Sequence, residues 1–164
     1  MTKPVQIPSD DALLVLFANG DSRAARELTD RLAPRAFAVA QRVLGDRAEA
    51  EDVTQDAMMR LWRLAPDWQS GQAKVSTWLY RVVMNLCLDR KRRNRGGSVG
   101  LDAIPEPEDP ARSVTDRRQD NARWDALQQG LMQLSDRQRQ AVVLRHIEEL
   151  SNPEIAGIMD ITVE

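Results

Sequence analysis

Five of the six residues from Arg90 to Arg95 are Lys or Arg. A cluster that dense can displace counterions from phosphate oxygens, which binds nucleic acid without reading its sequence. Just upstream, Trp78, Arg81, Asn85, Asp89 and Arg92 recur three or four residues apart, the spacing that lines one face of a helix. An aromatic ring, cations and an amide on one face suit nucleic acid, since the ring can stack on an unpaired base for about 1 to 3 kcal/mol. The same cations also suit a solvated helix C-terminus, where the dipole is negative. Residue types alone leave both readings open.

A second face carries different chemistry. Asp52, Gln55, Asp56 and Met59 share one side of a predicted helix, setting short acceptors beside one flexible apolar side chain. A solvated face is the ordinary reading of such a pattern. A cation cage is disfavoured, because nothing supplies neutral oxygen donors around the acids. The single Cys87 excludes an internal disulfide, and one Cys with one His cannot make a Cys/His zinc site. There is no Gly-rich phosphate loop, and His146 has no orienting partner in sequence. No catalytic residue, metal, cofactor or small-molecule substrate is therefore expected, and Cys87 reads as a packed thiol.

The elements that must hold these faces are helical. Ser76 is expected to cap the central helix, with Leu79, Val82, Val83 and Leu86 as its buried stripe. Before it, Asp10 and Asp11 precede a short helix that Asn19-Gly20 would stop, and Asp21 or Ser22 can cap a longer one. That second helix, with Leu28, Leu32, Phe37, Ala40 and Leu44 on one face, should kink or break near Ala33 because Pro34 removes a hydrogen bond and clashes with the preceding turn. Asp46 and Glu49 resemble a capping box for the helix bearing Asp52, and Pro66 to Lys74 reads as a loop. After Arg95 the composition turns to Gly, Pro and acids, predicting a flexible linker over 96–114. From Thr115 onward Trp124, Leu127, Leu131 and Leu134 form another expected buried stripe. Ser135/Gln138 and Ser151/Glu154 are two further capping boxes, the first opening a helix that runs to Leu150. The last elements, with Ile155, Ala156, Asp160 and Thr162, suggest a helix-turn-helix.

Charge divides along the same boundary. Met1 to Arg95 sums to +4 and Gly96 to Glu164 to −6, so the two halves are expected to meet different partners. No apolar run reaches the length of a membrane span and the first residues do not form a secretory signal, so a cytoplasmic chain is expected. The fold class is all-α: two small helical domains, 1–95 and 115–164, joined by a flexible linker.

From about Leu14 to its end the chain resembles the extracytoplasmic-function (ECF) class of bacterial sigma factors. The resemblance rests on Gly45 to Arg63, Ser76 to Arg93 and Leu134 to Met159, in that order, with a Pro/acid-rich linker between the second and third. It implies a promoter-specificity subunit that binds core RNA polymerase and directs initiation by recognising and melting promoter DNA. Asp52, Gln55, Asp56 and Met59 would meet the clamp helices of the polymerase. Ser76, Trp78, Arg81, Asn85, Arg90, Lys91, Arg92 and Arg93 would contact the minus-ten element, with Trp68 and Lys74 in a loop that receives a flipped base. Trp78 could instead belong to the core. Leu134 to Leu150 would meet the polymerase flap, and Ser151, Glu154, Ile155, Ala156, Asp160 and Thr162 would form the helix-turn-helix for the minus-thirty-five element. Asp160 departs from the family's small turn residue, and a recognition helix starting at Thr162 or Val163 would be nearly all missing. Protection of the upstream element is therefore not expected. An anti-sigma factor is the further partner the resemblance implies. The competing reading is a stand-alone helix-turn-helix regulator with an N-terminal protein-interaction domain.

Overall fold

The computed structural model describes residues 7–96 and 114–162, with side chains in the second span from 120 onward. Helix starts follow the local chemistry, because a side-chain oxygen can satisfy one of the free N–H groups of a first turn. Ser9 accepts from the Ala12 N–H at 3.1 Å and opens α1, Asp10–Ala18. Asp21 caps α2, Ser22–Leu44, and Gly45 closes it in the left-handed region at φ 73°. Asp46 accepts from the Glu49 N–H at 2.8 Å and opens α3, Arg47–Leu64. A 3-10 turn, Ala65–Asp67, leads through a loop to α4, Val75–Gly96. Beyond the undescribed stretch lie α5, Val114–Gln133, α6, Asp136–His146, and α7, Asn152–Met159.

Every regular element among the described residues is helical, as the residue pattern predicts. Several details differ. Pro34 does not break α2: its residue is exposed, so the carbonyls it frees can meet water. Leu28, Leu32, Ala36, Val39, Ala40 and Val43 are buried on both sides of it. A proline inside a helix costs about 3 kcal/mol, whereas each fully buried aliphatic side chain contributes about 1.5 to 3, so packing wins. Helix α4 starts two residues early, at Val75, and Ser76 lies inside its first turn rather than capping it. Asp46 caps α3, but Glu49 does not complete a capping box; its carboxylate accepts from Asn94 of α4 at 2.9 Å. Helix α6 stops at His146, well short of Leu150. The expected linker falls almost wholly outside the described residues.

Helix α2 is the axis of the fold: α1, α3 and α4 pack around it, while α5 and α6 lean on it from the C-terminal side and α7 crosses α4. One continuous core results, in which Leu131, Val143, Leu144, Ile155 and Ile158 join the buried residues of α1–α4. The two helical units are thus held against each other. The α5 stripe is only half realised: Leu131 is buried, but Trp124 and Leu127 are 40% and 46% exposed. Helix α5 packs on α2, and Trp124 is covered there by the Arg42 guanidinium, 3.1 Å from its ring centroid.

Candidate protein and nucleic-acid interfaces

The acceptor-rich face of α3 is open. Asp52, Gln55 and Met59 are exposed along a groove of about 760 Å³ that α2 walls with Pro34 and Phe37 and α3 with Trp62, while Asp56 is half-buried and outside its lining. Period places them: Val53, Ala57 and Leu61 turn into the core, which forces the intervening residues outward. The acids are occupied only by local cations. Asp56 pairs with Arg60 at 3.1 Å one turn on, and Asp52 with Arg90 of α4 at 3.5 Å. Exposed pairs of this kind contribute about 0 to 1 kcal/mol, so an incoming cation can replace them.

The α4 face is built the same way and ends differently. Leu79, Val83 and Leu86 are buried, Val82 is half-buried, and Arg81, Asn85, Asp89 and Arg92 are exposed on the other side. Trp78 is half-buried and packs on the core. Helix α7 crosses this face. The Arg81 guanidinium donates to the Gly157 carbonyl at 2.5 Å, and the Lys74 ammonium lies 3.1 Å from Glu154. Cavities of about 700 and 460 Å³ flank the crossing, the first bordered by Ser76 and Thr77, the second by Asn85.

The dense cation block is parted among neighbours. Arg90 turns to Asp52, Lys91 and Arg95 turn to Asp136 at 3.6 and 2.6 Å, and Arg92 and Arg93 are exposed. Burial, and then the nearby Arg139, pushes the Lys91 ammonium below its usual range, while Asp136 opposes that shift. Trp68 stands apart from the cations. It is half-buried, and its indole N–H donates to Asp11 at 3.0 Å; the Gly71 N–H reaches the same carboxylate at 3.4 Å.

In the C-terminal unit Ser151 and Glu154 form a reciprocal cap, and Ile155 and Ala156 are buried. The Ser151 backbone N–H, then its hydroxyl, then Lys74, bring the Glu154 carboxyl down to about 2. Asp160 adopts the left-handed conformation at φ 54° and ψ 52°, which Asp tolerates better than most residues. Thr162 is exposed. Val163 lies outside the described residues.

Residue-by-residue reading of the chain misses the groups that join the two units. Glu148, with a side chain only 6% exposed, accepts from the Tyr80 hydroxyl and pairs with Arg35 at 3.1 Å. Burial, then Glu148, drives the Tyr80 phenol far above its usual range. Buried Arg139 donates to the Leu131, Met132 and Leu134 carbonyls and to Val43 of α2. A Cβ on Gly45 would lie 2.9 Å from the Met132 methyl, so the α2–α3 corner needs glycine both for its φ and for this approach. No signal local in sequence marks these partners.

Cys87 is fully buried, and burial pushes its thiol up to about 12, so it is a neutral packing group. Among the described residues no three His, Cys, Asp or Glu side chains are grouped to hold a metal ion.

Comparison with known proteins places both units. The Sigma-70 region 2 profile matches residues 28–96 and the Sigma-70 region 4 profile matches 124–164. The chain is 31% identical to the ECF RNA polymerase sigma factor SigW of Bacillus subtilis over 160 residues, covering 88% of this chain and 81% of that protein. It is 34% identical to the ECF sigma factor SigE of Mycolicibacterium smegmatis over 163 residues, 94% of this chain and 62% of that one. The fold matches CnrH in its complex with the cytosolic domain of CnrY, with a TM-score of 0.67 and 25% identity over 94% of this chain and 85% of that one. It also matches the sigma factor RpoE of Bartonella quintana, solved with the anti-sigma factor NepR, with a TM-score of 0.61 over 84% of this chain and 83% of that one at 20% identity, a likeness of fold alone.

These matches overturn the reading as a stand-alone helix-turn-helix regulator, because the N-terminal half is a sigma region 2 and not a generic interaction module. The expectation of a cytoplasmic chain is withdrawn with it and replaced by a narrower fact: among the described residues no helix is long and apolar enough to cross a membrane. Two sigma regions in order, and a curated relative matched along most of both chains, establish that the protein belongs to the ECF RNA polymerase sigma factors, which are not enzymes.

Proposed function

We propose that residues 1–95 hold core RNA polymerase through the α3 groove while the α4 face and the loop before it engage and melt the minus-ten element. Residues 115–164 then meet the polymerase flap, and residues 96–114 tether the two units. One observation carries the reading: Asp52, Gln55 and Met59 stay exposed on a single groove, while Arg81, Asn85 and Arg92 share one exposed side of the adjoining helix. The two surfaces meet at one edge, through the Asp52–Arg90 pair, so they are neighbours and not opposite poles.

Arg-rich partner helices suit the α3 groove, because guanidinium groups bind carboxylates by charge-assisted hydrogen bonds while Met59 and Trp62 offer adaptable apolar contact. On α4, cations neutralise phosphates and the loop supplies a pocket whose contacts offset the few kcal/mol of flipping a base. CnrH, solved with the cytosolic domain of CnrY, and RpoE, solved with the anti-sigma factor NepR, share the fold, which supports a protein partner, an anti-sigma factor, for this chain as well.

Asp52→Arg combined with Gln55→Ala tests the docking half. Co-purification with core polymerase is expected to be lost while helicity by circular dichroism is unchanged. Retained polymerase binding would refute the assignment of this groove.

A further inference from the structure

We infer that the C-terminal unit is an intramolecular lid on the DNA-facing side of α4, latched by Glu148 to Tyr80 and Arg35, and that the lid must lift before the chain binds single-stranded DNA. The inference rests on the assignment of α4 to DNA made above.

Three independent observations lead there. First, α7 crosses this side of α4 and takes up part of its cations, while Asn85, Arg92 and Arg93 stay exposed. Arg81 donates to the Gly157 carbonyl, Lys74 pairs with Glu154, and Asp136 takes up Lys91 and Arg95. Each contact satisfies a cation with an oxygen acceptor, which is what a phosphate backbone would otherwise provide. Second, the unit that supplies these acceptors, residues 115–164, has 9 acidic and 6 basic side chains, a net −3, against +4 on the half it covers. The lid is thus net acidic and tethered, at high effective concentration.

Third, the closure is specific yet incomplete. Glu148 is nearly enclosed and meets both Tyr80 and Arg35, and the Arg35 guanidinium also lies 5.7 Å from the Tyr80 ring centroid. None of these three residues belongs to the proposed polymerase groove or to the exposed α4 face, so the latch can change without altering either. Around it the fit is loose. Two cavities flank the α4–α7 crossing, and Gln140 Nε2 on α6, which borders the second, and Arg42 Nη1 beneath α5 are buried without a partner. Unpaired buried donors penalise the closed arrangement, so it is poised to open and is not permanently shut.

The test uses the whole chain with dyes on Ala18→Cys and Asn152→Cys, since enclosed Cys87 does not label, and a fluorescent single-stranded DNA of random sequence as the probe. Glu148→Ala is expected to lower energy transfer between the dyes and to tighten DNA binding about tenfold, because the apparent affinity of a site that is open part of the time scales with its open fraction. Arg35→Ala attacks the latch from its exposed side, where misfolding is no concern. It removes a positive charge and should still tighten DNA binding, opposite in sign to a simple charge effect. Unchanged transfer in both variants overturns the lid. So does lowered transfer with unaltered DNA affinity. The two readings fail separately: in the Glu148→Ala background, adding Arg81→Ala and Asn85→Ala should weaken DNA binding. If it does not, the assignment of α4 to DNA is wrong, and the lid over a DNA site falls with it.

Discussion

The α3 and α4 faces are made by the same device, a helix whose apolar positions turn inward and push polar ones out, yet one lies open along its groove and the other is partly crossed by α7. On α3 Asp56 holds Arg60 one turn on, and exposed Asp52 holds half-buried Arg90 of the adjoining helix. On α4 the cations hold acceptors from a distant part of the chain, at 2.5 Å to Gly157, 3.1 Å to Glu154 and 2.6 Å from Arg95 to Asp136. A surface that answers to local partners is available at once. One that answers to residues about 80 positions away in sequence is available only after a conformational step. The difference implies an order of events in which polymerase docking does not require the closed form to open, whereas DNA engagement does.

The comparison can be broken most forcefully at Arg139, which is 4% exposed and serves four backbone carbonyls. Arg139→Lys retains the charge but cannot reach them all from one nitrogen. A loss of about 3 kcal/mol is expected in chemical denaturation, together with release of the α4 cover, while the part of polymerase retention that Asp52→Arg with Gln55→Ala removes stays unchanged. Equal loss of both activities would show that the two faces are not separately controlled.

A smaller effect is expected from acid. The Glu154 carboxyl sits near 2 in the fold against an ordinary 4.5. A lowered folded-state value means its contribution is complete above about 4.5 and disappears as pH falls from there toward 2. The α7 cap and the Lys74 contact should therefore weaken over that window, read as lower dye transfer, and Glu154→Gln should flatten that dependence while slightly lowering transfer at neutral pH. The smallest effect belongs to the open face. Asp56→Asn should change stability by no more than about 0.5 kcal/mol by thermal melting, since its pair with Arg60 is exposed. A larger cost would mean that the α3 acids are structural.

Four helix starts are readable in the residues, because a cap is a short-range event: Asp21, Asp46, Ser135 and Ser151 each accept from an N–H within three positions, whereas Ser9 and not Asp10 or Asp11 caps α1, and Ser76 caps nothing. Both faces were readable too, since period alone decides what turns inward. The break allowed for at Pro34 does not occur, because a penalty of one residue is local, while the burial that outweighs it runs along the whole of α2. Trp124 and Leu127 were misjudged for the converse reason: a stripe says which side is apolar but not whether anything arrives to cover it. The latch was invisible because Arg35, Tyr80 and Glu148 look like ordinary surface residues until the chain brings them together.

Arg139 also decides what kind of movement opening is. Three of the carbonyls it serves, along with Asp136, lie in the α5–α6 corner, and only Val43 lies across the seam. When the halves part, the guanidinium surrenders a single acceptor and keeps the rest, so the departing piece swings away already assembled. Amide hydrogens along α6 should then stay slow to exchange throughout, and no refolding delay should follow reclosure.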